Sequence, residues 1–222
     1  MKLPFVKKDS RDPARRDSIG EKRSVAVREA YKRLRTNVLF RFSEKENGCV
    51  IGITSAMACE GKSTAAIHLA YDLKKLGKKV VLIDADMRRS RAAKVLEVNR
   101  SPGLSNFLAM DNNDDPLLQH TGVLDNLSVI TCGDLPPNPT ELLASKRMAT
   151  LIDTLKKDYE YIIMDLPSVT EVADPLIVSK RIDGMIVVVR QNYADRNLLA
   201  DAVQQLRDNE VKILGFVMTR AQ

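Results

Sequence analysis

Short apolar runs alternate with longer stretches of helical period along most of this chain. Val50-Ile51-Gly52-Ile53-Thr54, Val80-Val81-Leu82-Ile83-Asp84, Leu127-Ser128-Val129-Ile130, Tyr161-Ile162-Ile163-Met164-Asp165, Met185 to Val189 and Ile213 to Met218 read as strands. Between them, the spacing predicts helices over Lys62–Leu76, Thr140–Lys157, Ala173–Arg181 and Asp195–Asp208. Strands that are apolar at successive positions are covered on both faces, and strands alternating with helices pair in parallel. The expected fold is therefore α/β, a doubly wound, mostly parallel sheet. Ahead of it, Val27, Tyr31, Leu34 and Val38 recur at helical spacing among Arg28, Lys32, Arg33 and Arg35, which predicts an amphipathic helix over residues 24–42. Residues 1–23, with Pro4, Pro13 and Gly20 amid many charges and no period, read as an arm or linker, and Asp111–Asp115 as an ordinary acidic turn.

Composition narrows the class. At 222 residues, 44% hydrophobic and 29% charged, the chain suits one large domain with an arm. Its longest uncharged stretch, Asn47 to Cys59, falls short of the ~20 apolar residues that a membrane-spanning helix needs, and no secretory leader is evident. Three cysteines without metal-ligand spacing fit a reducing, cytoplasmic setting. The charge is uneven. Residues 1–35 hold 12 Lys and Arg against 5 Asp and Glu, so the formal net charge of +6 comes from this segment. Such an arm suits an anionic membrane surface, an acidic protein face or nucleic acid, or is simply solvated.

The chemistry concentrates after the first strand. Ala56-x4-Gly61-Lys62-Ser63, between a strand and a helix, is a P-loop with alanine in its first position. Its backbone N–H groups and the following helix N-terminus form an anion cradle. Lys62 is expected to reach the β- and γ-phosphates of ATP, and Ser63 to ligate Mg²⁺. Asp84 and Asp86, two apart at the end of the second strand, face the same way. They suit water-mediated Mg²⁺ coordination or a base for an incoming hydroxyl; alternatively, Asp86 caps the next turn. Asp165 closes a third apolar strand as a Walker B carboxylate would. Arg88 and Arg89 are either counter-charges to phosphate or solvated. Cys59 is either a redox-sensitive thiol or a small residue that fits.

Together these motifs resemble those of the bacterial tyrosine kinase family, the P-loop kinases of capsular and exopolysaccharide synthesis. The resemblance spans about residues 24–219 and rests on Glu29 to Asn37, Thr54-Ser55 with the P-loop, the Walker A′ stretch Val81 to Arg89, and Gly133-Asp134-Leu135-Pro136-Pro137-Asn138-Pro139-Thr140-Glu141-Leu142-Leu143. It implies nucleotide contacts from Ala58, Cys59, Glu60, Gly61, Lys62, Ser63, Thr64 and Thr219. It also implies catalytic work by Lys62, Asp84 and Asp86, and Mg²⁺ held through Ser63, Asp84 and Asp165. The implied partners are protein tyrosines, a membrane-embedded activator at the inner face of the plasma membrane, and further copies of the chain. The copies would form a ring through Glu29-x2-Lys32-x2-Arg35, where lysine stands for the first arginine of the family motif.

The chain departs from the family in three places. Ala58-Cys59 replaces the usual Pro-Gly; Thr219 replaces an asparagine that helps recognise adenine, with weaker base selectivity as the expectation; and no tyrosine cluster follows Thr219. Partition and septum-placing ATPases share the fold but carry a second P-loop lysine where this chain has Met57, which argues against that class and against nucleic acid as partner. The remaining alternative to a kinase is a nucleotide-gated, non-catalytic regulator of polysaccharide export.

Overall fold

The computed structural model describes residues 24–110, 117–122, 124 and 127–220; the arm at 1–23 and the acidic turn at 111–115 lie outside them. Seven strands form one sheet: β1 (Cys49–Ser55), β2 (Val80–Asp84), β3 (Gln119–His120), β4 (Ser128–Ile130), β5 (Tyr161–Asp165), β6 (Gly184–Gln191) and β7 (Ile213–Arg220), in the order β3-β4-β2-β5-β1-β6-β7. All neighbours pair in parallel except β3 with β4. The pleat sends alternate residues to opposite faces. Val50, Val81, Ile83, Ile162 and Met164 enter one core, and Ile51, Ile53, Leu82 and Ile163 the other, all fully buried.

The helices that position the site are α1 (Val25–Arg41), α2 (Lys62–Lys74), α5 (Pro139–Ala144), α6 (Lys146–Asp158), α7 (Asp174–Ser179) and α8 (Arg196–Asp208); two short ones, α3 (Ala92–Leu96) and α4 (Leu104–Ala109), together with β3, escape the periodicity reading. α6 buries Met148, Leu151, Ile152 and Leu155, the i, i+3, i+4, i+7 stripe that seats a helix on a sheet. The single helix expected over 140–157 is two. Ser145 has an extended backbone, and its Oγ accepts the Met148 N–H at 3.2 Å, so it ends α5 and caps α6. α1 is capped by Ser24 in the same way, with the Val27 N–H at 3.3 Å. It lies on α2 through Tyr31, whose ring meets His68 edge-on at 4.9 Å, and through Val38. Val27 does not join that face: it is 41% exposed, because α1 packs chiefly on α2 and buries a narrow stripe at Tyr31 and Val38. Among the described residues no helix is long and apolar enough to cross a membrane.

Candidate functional site

Three strands end side by side at one sheet edge. The register pairs Asp84 with Asp165 across β2 and β5, and Asp165 with Ile53 across β5 and β1, so both carboxylates stand beside the loop that leaves β1. Parallel neighbours ~4.8 Å apart bring their terminal residues together, and the crevice beyond these ends is where open α/β sheets bind ligands. A cavity of about 1480 Å³ opens there, lined by Ala58, Cys59, Gly61, Lys62, Ser63 and Thr64 on one side and Asp86, Arg88, Arg89 and Arg91 on another. Leu135, Pro136 and Pro137 line it as well.

The P-loop is braced from within. Glu60 is fully buried, and its carboxylate accepts N–H groups of Met57 at 2.8 Å and Arg190 at 3.2 Å. Thr219 donates its hydroxyl to the Glu60 carbonyl at 2.7 Å. Neither residue lines the cavity, so both side chains hold the loop's shape, and a nucleotide contact from Glu60 would come through its backbone N–H. Met57 packs into the core. Gly61 turns left-handed at φ +96° and leaves the α2 N-terminus without a side-chain cap, so its first N–H groups are free to bind an anion.

Cys59 also turns left-handed, at φ +61°, where an L side chain costs roughly 1–2 kcal/mol relative to glycine. This is the position at which the resemblance predicts glycine. Cys59→Gly is therefore expected to stabilise the protein, by up to ~1 kcal/mol after the glycine's larger unfolded-state entropy is subtracted, or about 2–4 °C in melting temperature. A lowered melting point in calorimetry would refute this account of the loop.

Lys62 is buried, and its Nζ donates to Ser168 Oγ at 3.1 Å. Asp84 and Asp165 are buried beside it, and Asp84 Oδ1 and Asp165 Oδ1 have no hydrogen-bond partner. Burial pushes the Asp84 carboxyl up to about 7, against the Ser90 hydroxyl that donates to it and with the charge of Asp86 adding to the rise. Burial, then the charge of Asp84, raises Asp165 well above the usual carboxylate range, while the Ser63 hydroxyl draws it down. Asp86 behaves differently. Its Oδ1 accepts the N–H groups of Arg88 at 3.3 Å and Arg89 at 2.9 Å, so one oxygen caps the turn, although the residue still lines the cavity.

Of the two arginines, Arg88 is committed to Asp174, with Nε and an NH2 at 3.0 and 3.3 Å, and to Thr140 at 3.1 Å. Arg89 is 70% exposed and loosely paired with Glu171 at 3.5 Å. Periodicity and motif reading missed Ser168, Glu171 and Arg190, all of which line the cavity. Their available signal is position: each follows or ends an apolar strand at the ligand edge.

The proline-rich segment has a structural cause. Gly133 takes φ +82°, and a Cβ there would strike Asn106 Oδ1 and Ser105 Oγ. Asp134 then accepts Ser101 Oγ at 2.9 Å and Asn106 Nδ2 at 2.8 Å, which fixes the chain just before Leu135-Pro136-Pro137 lines the cavity. Gly133→Ala is expected to cost about 2 kcal/mol or more, and urea denaturation showing an unchanged midpoint would contradict it.

Comparison with known proteins agrees with this architecture. A family model described as an AAA domain matches residues 49–214. The chain is 34% identical over 193 residues to the tyrosine-protein kinase CpsD of Streptococcus agalactiae, covering 86% of this chain and 82% of that one. The kinase domain of the Escherichia coli tyrosine kinase ETK superposes with a TM-score of 0.82 at 32% identity, over 87% of this chain and 75% of that one. The septum site-determining protein MinD of Pyrococcus horikoshii, solved with Mg-ADP, shares the fold alone: TM-score 0.64 at 22% identity, covering 77% and 70%.

Proposed function

The chain belongs to the bacterial tyrosine-protein kinase family, and from that premise we propose that it transfers the γ-phosphate of ATP to tyrosine hydroxyls of proteins in capsular or exopolysaccharide assembly. The observation that carries this reading is the buried Asp84–Asp165 pair, with an unpartnered oxygen on each, beside the braced P-loop and Lys62. Two buried, unpartnered carboxylate oxygens fit a hard cation. Among the described residues no cluster of three or more His, Cys, Asp or Glu forms a closed metal cage, which suits Mg²⁺ that draws its other ligands from phosphate and water. Asp84, Asp165 and Ser63 would hold this ion, whose charge neutralises that developing on the phosphates.

The chain's own residues do the rest. The loop amides from Ala58 to Thr64 cradle the phosphates, and Lys62, drawn off Ser168, meets the β- and γ-phosphates. Deep in a low-dielectric site its charge stabilises the transition state more than it would in water. Asp86, with one oxygen on the turn, orients the tyrosine hydroxyl or takes its proton. The apolar side chains of Leu135, Pro136 and Pro137, which line the same cavity as the P-loop, offer the acceptor ring a surface.

The partners of this reading are an activator embedded in the membrane, which holds the chain at the inner face with help from the basic arm, and further copies of the chain joined in a ring through α1. Glu29 and Lys32 pair within that helix at 2.7 Å while both stay more than half exposed, so the pair is open to exchange with a neighbour. The reading is tested by following label from Mg-ATP into a Glu-Tyr copolymer, with phosphotyrosine and free phosphate read separately. Phosphotyrosine supports a kinase. Tight nucleotide binding with neither product would instead mark a nucleotide-gated regulator.

A further inference from the structure

All five tyrosines of the chain fall among the described residues, and they are not equally available. Tyr31, Tyr71 and Tyr161 are buried at 9%, 4% and 6% exposure. Tyr159 is half-buried, and burial pushes its phenol up, as it does for Tyr161. Tyr193 alone is exposed, at 43%. It sits in the turn between β6 and α8, just past Asn192, whose φ of +60° swings the chain away from the sheet. Because β6 runs parallel to β1, this turn leaves the same sheet edge as the P-loop. Its hydroxyl has no hydrogen-bond partner among the described residues.

We infer that Tyr193 is a phosphate acceptor, presented by one copy of the chain to the active site of another. The inference rests on the kinase reading above and goes beyond it by naming the acceptor. Transfer within one copy is disfavoured by Arg190, which stands between the ring and the loop: its guanidinium lies 4.6 Å from the Tyr193 ring centre and donates to the Cys59 carbonyl at 3.1 Å. In the step itself, the phenol oxygen bonds to the γ-phosphorus of ATP. The bond from that phosphorus to the β,γ-bridging oxygen breaks, ADP leaves with the electron pair, and the phenolic proton passes to a carboxylate of the catalysing copy.

The product has a local consequence. A phosphate on Tyr193 carries nearly two negative charges next to Arg190 and competes with the Cys59 carbonyl for its guanidinium. The modification is thereby coupled to the P-loop that Arg190 helps to brace.

The experiment mixes unlabelled wild type with an isotopically heavy Lys62→Ala copy in Mg-ATP, maps phosphopeptides by mass, and runs wild type and Tyr193→Phe in parallel on a Glu-Tyr copolymer. The expected result is phosphate on Tyr193 of the heavy copy and loss of the chain's own phosphotyrosine in Tyr193→Phe, while both wild type and Tyr193→Phe modify the copolymer. Copolymer modified with Tyr193 untouched overturns the inference and leaves the kinase reading standing. Phosphate on Tyr193 of the light copy alone overturns transfer between copies. No phosphotyrosine on chain or copolymer defeats the kinase reading, and this inference with it.

Discussion

Lys62→Ala is expected to lower phosphotyrosine formation by about a hundred- to a thousandfold, the usual cost of removing one preorganised charge from a transition state in a buried site. The fold should survive. Among the described residues the ammonium donates to Ser168, and Ser168 keeps a second neighbour in Ser55 Oγ at 3.4 Å. The loss should exceed that of a single contact because Lys62 is also one of the charges that hold the Asp165 carboxyl down. Without it the acid gains its proton more readily, and the cation loses a ligand in the form that binds it. Initial rates and nucleotide affinity, measured on both proteins at equal folded concentration, check this. A rate within about threefold of wild type would mean that Lys62 is not at the reacting phosphates.

The second large effect is a dependence of stability on pH that runs opposite to the common carboxylate pattern. Asp84 sits at about 7 in the fold against 3.8 for an exposed aspartate. Between those two values the native state keeps a proton that the unfolded chain has lost, so the native state binds more protons and stability falls as pH rises. The slope is at most about 1.4 kcal/mol per pH unit for one such group. Above the upper value both states are ionised and the full cost is constant; below the lower value it vanishes. Melting temperatures of the nucleotide-free protein should therefore decline across this window, and Asp84→Asn should flatten the decline. With Mg-nucleotide the trend should reverse, since the cation selects the ionised pair. Parallel pH profiles for wild type and Asp84→Asn would show that burial of this acid is not what sets the trend.

Much of this is legible in the residues alone. β1, β2 and β5 lie at the middle of the sheet with both faces covered, so they announce themselves as apolar runs, and the aspartates that close β2 and β5 fall at the ligand edge because parallel strands end together. Less legible were features that depend on a neighbour. Nothing local says that Ser145 will break a helix, since Leu142-Leu143 and Met148-Leu151 keep helical spacing on both sides of it. Glu60 reads as a solvated loop residue; only the approach of β6 and β7 brings the Arg190 N–H and the Thr219 hydroxyl that join the Met57 N–H around it. Arg88 carries the right charge for phosphate, yet Asp174, buried 86 residues further on, claims it. The proline-rich motif was recognisable as wording without a reason, and the reason is the positive φ of Gly133 under Asn106 and Ser105.

The order of the strands also bears on how the chain is made. β1 precedes the other six described strands but ends up between β5 and β6, with Ile51 opposite Ile163 on one side and Gly184 on the other. While the ribosome works through the residues between, a strand that is buried along its whole length in the fold has no partner to close on. Pairings this distant form slowly and leave sticky surface open meanwhile. Nascent chains halted before β6 should therefore be held by chaperones or degraded, and folding should begin in earnest only as the last third of the sequence emerges.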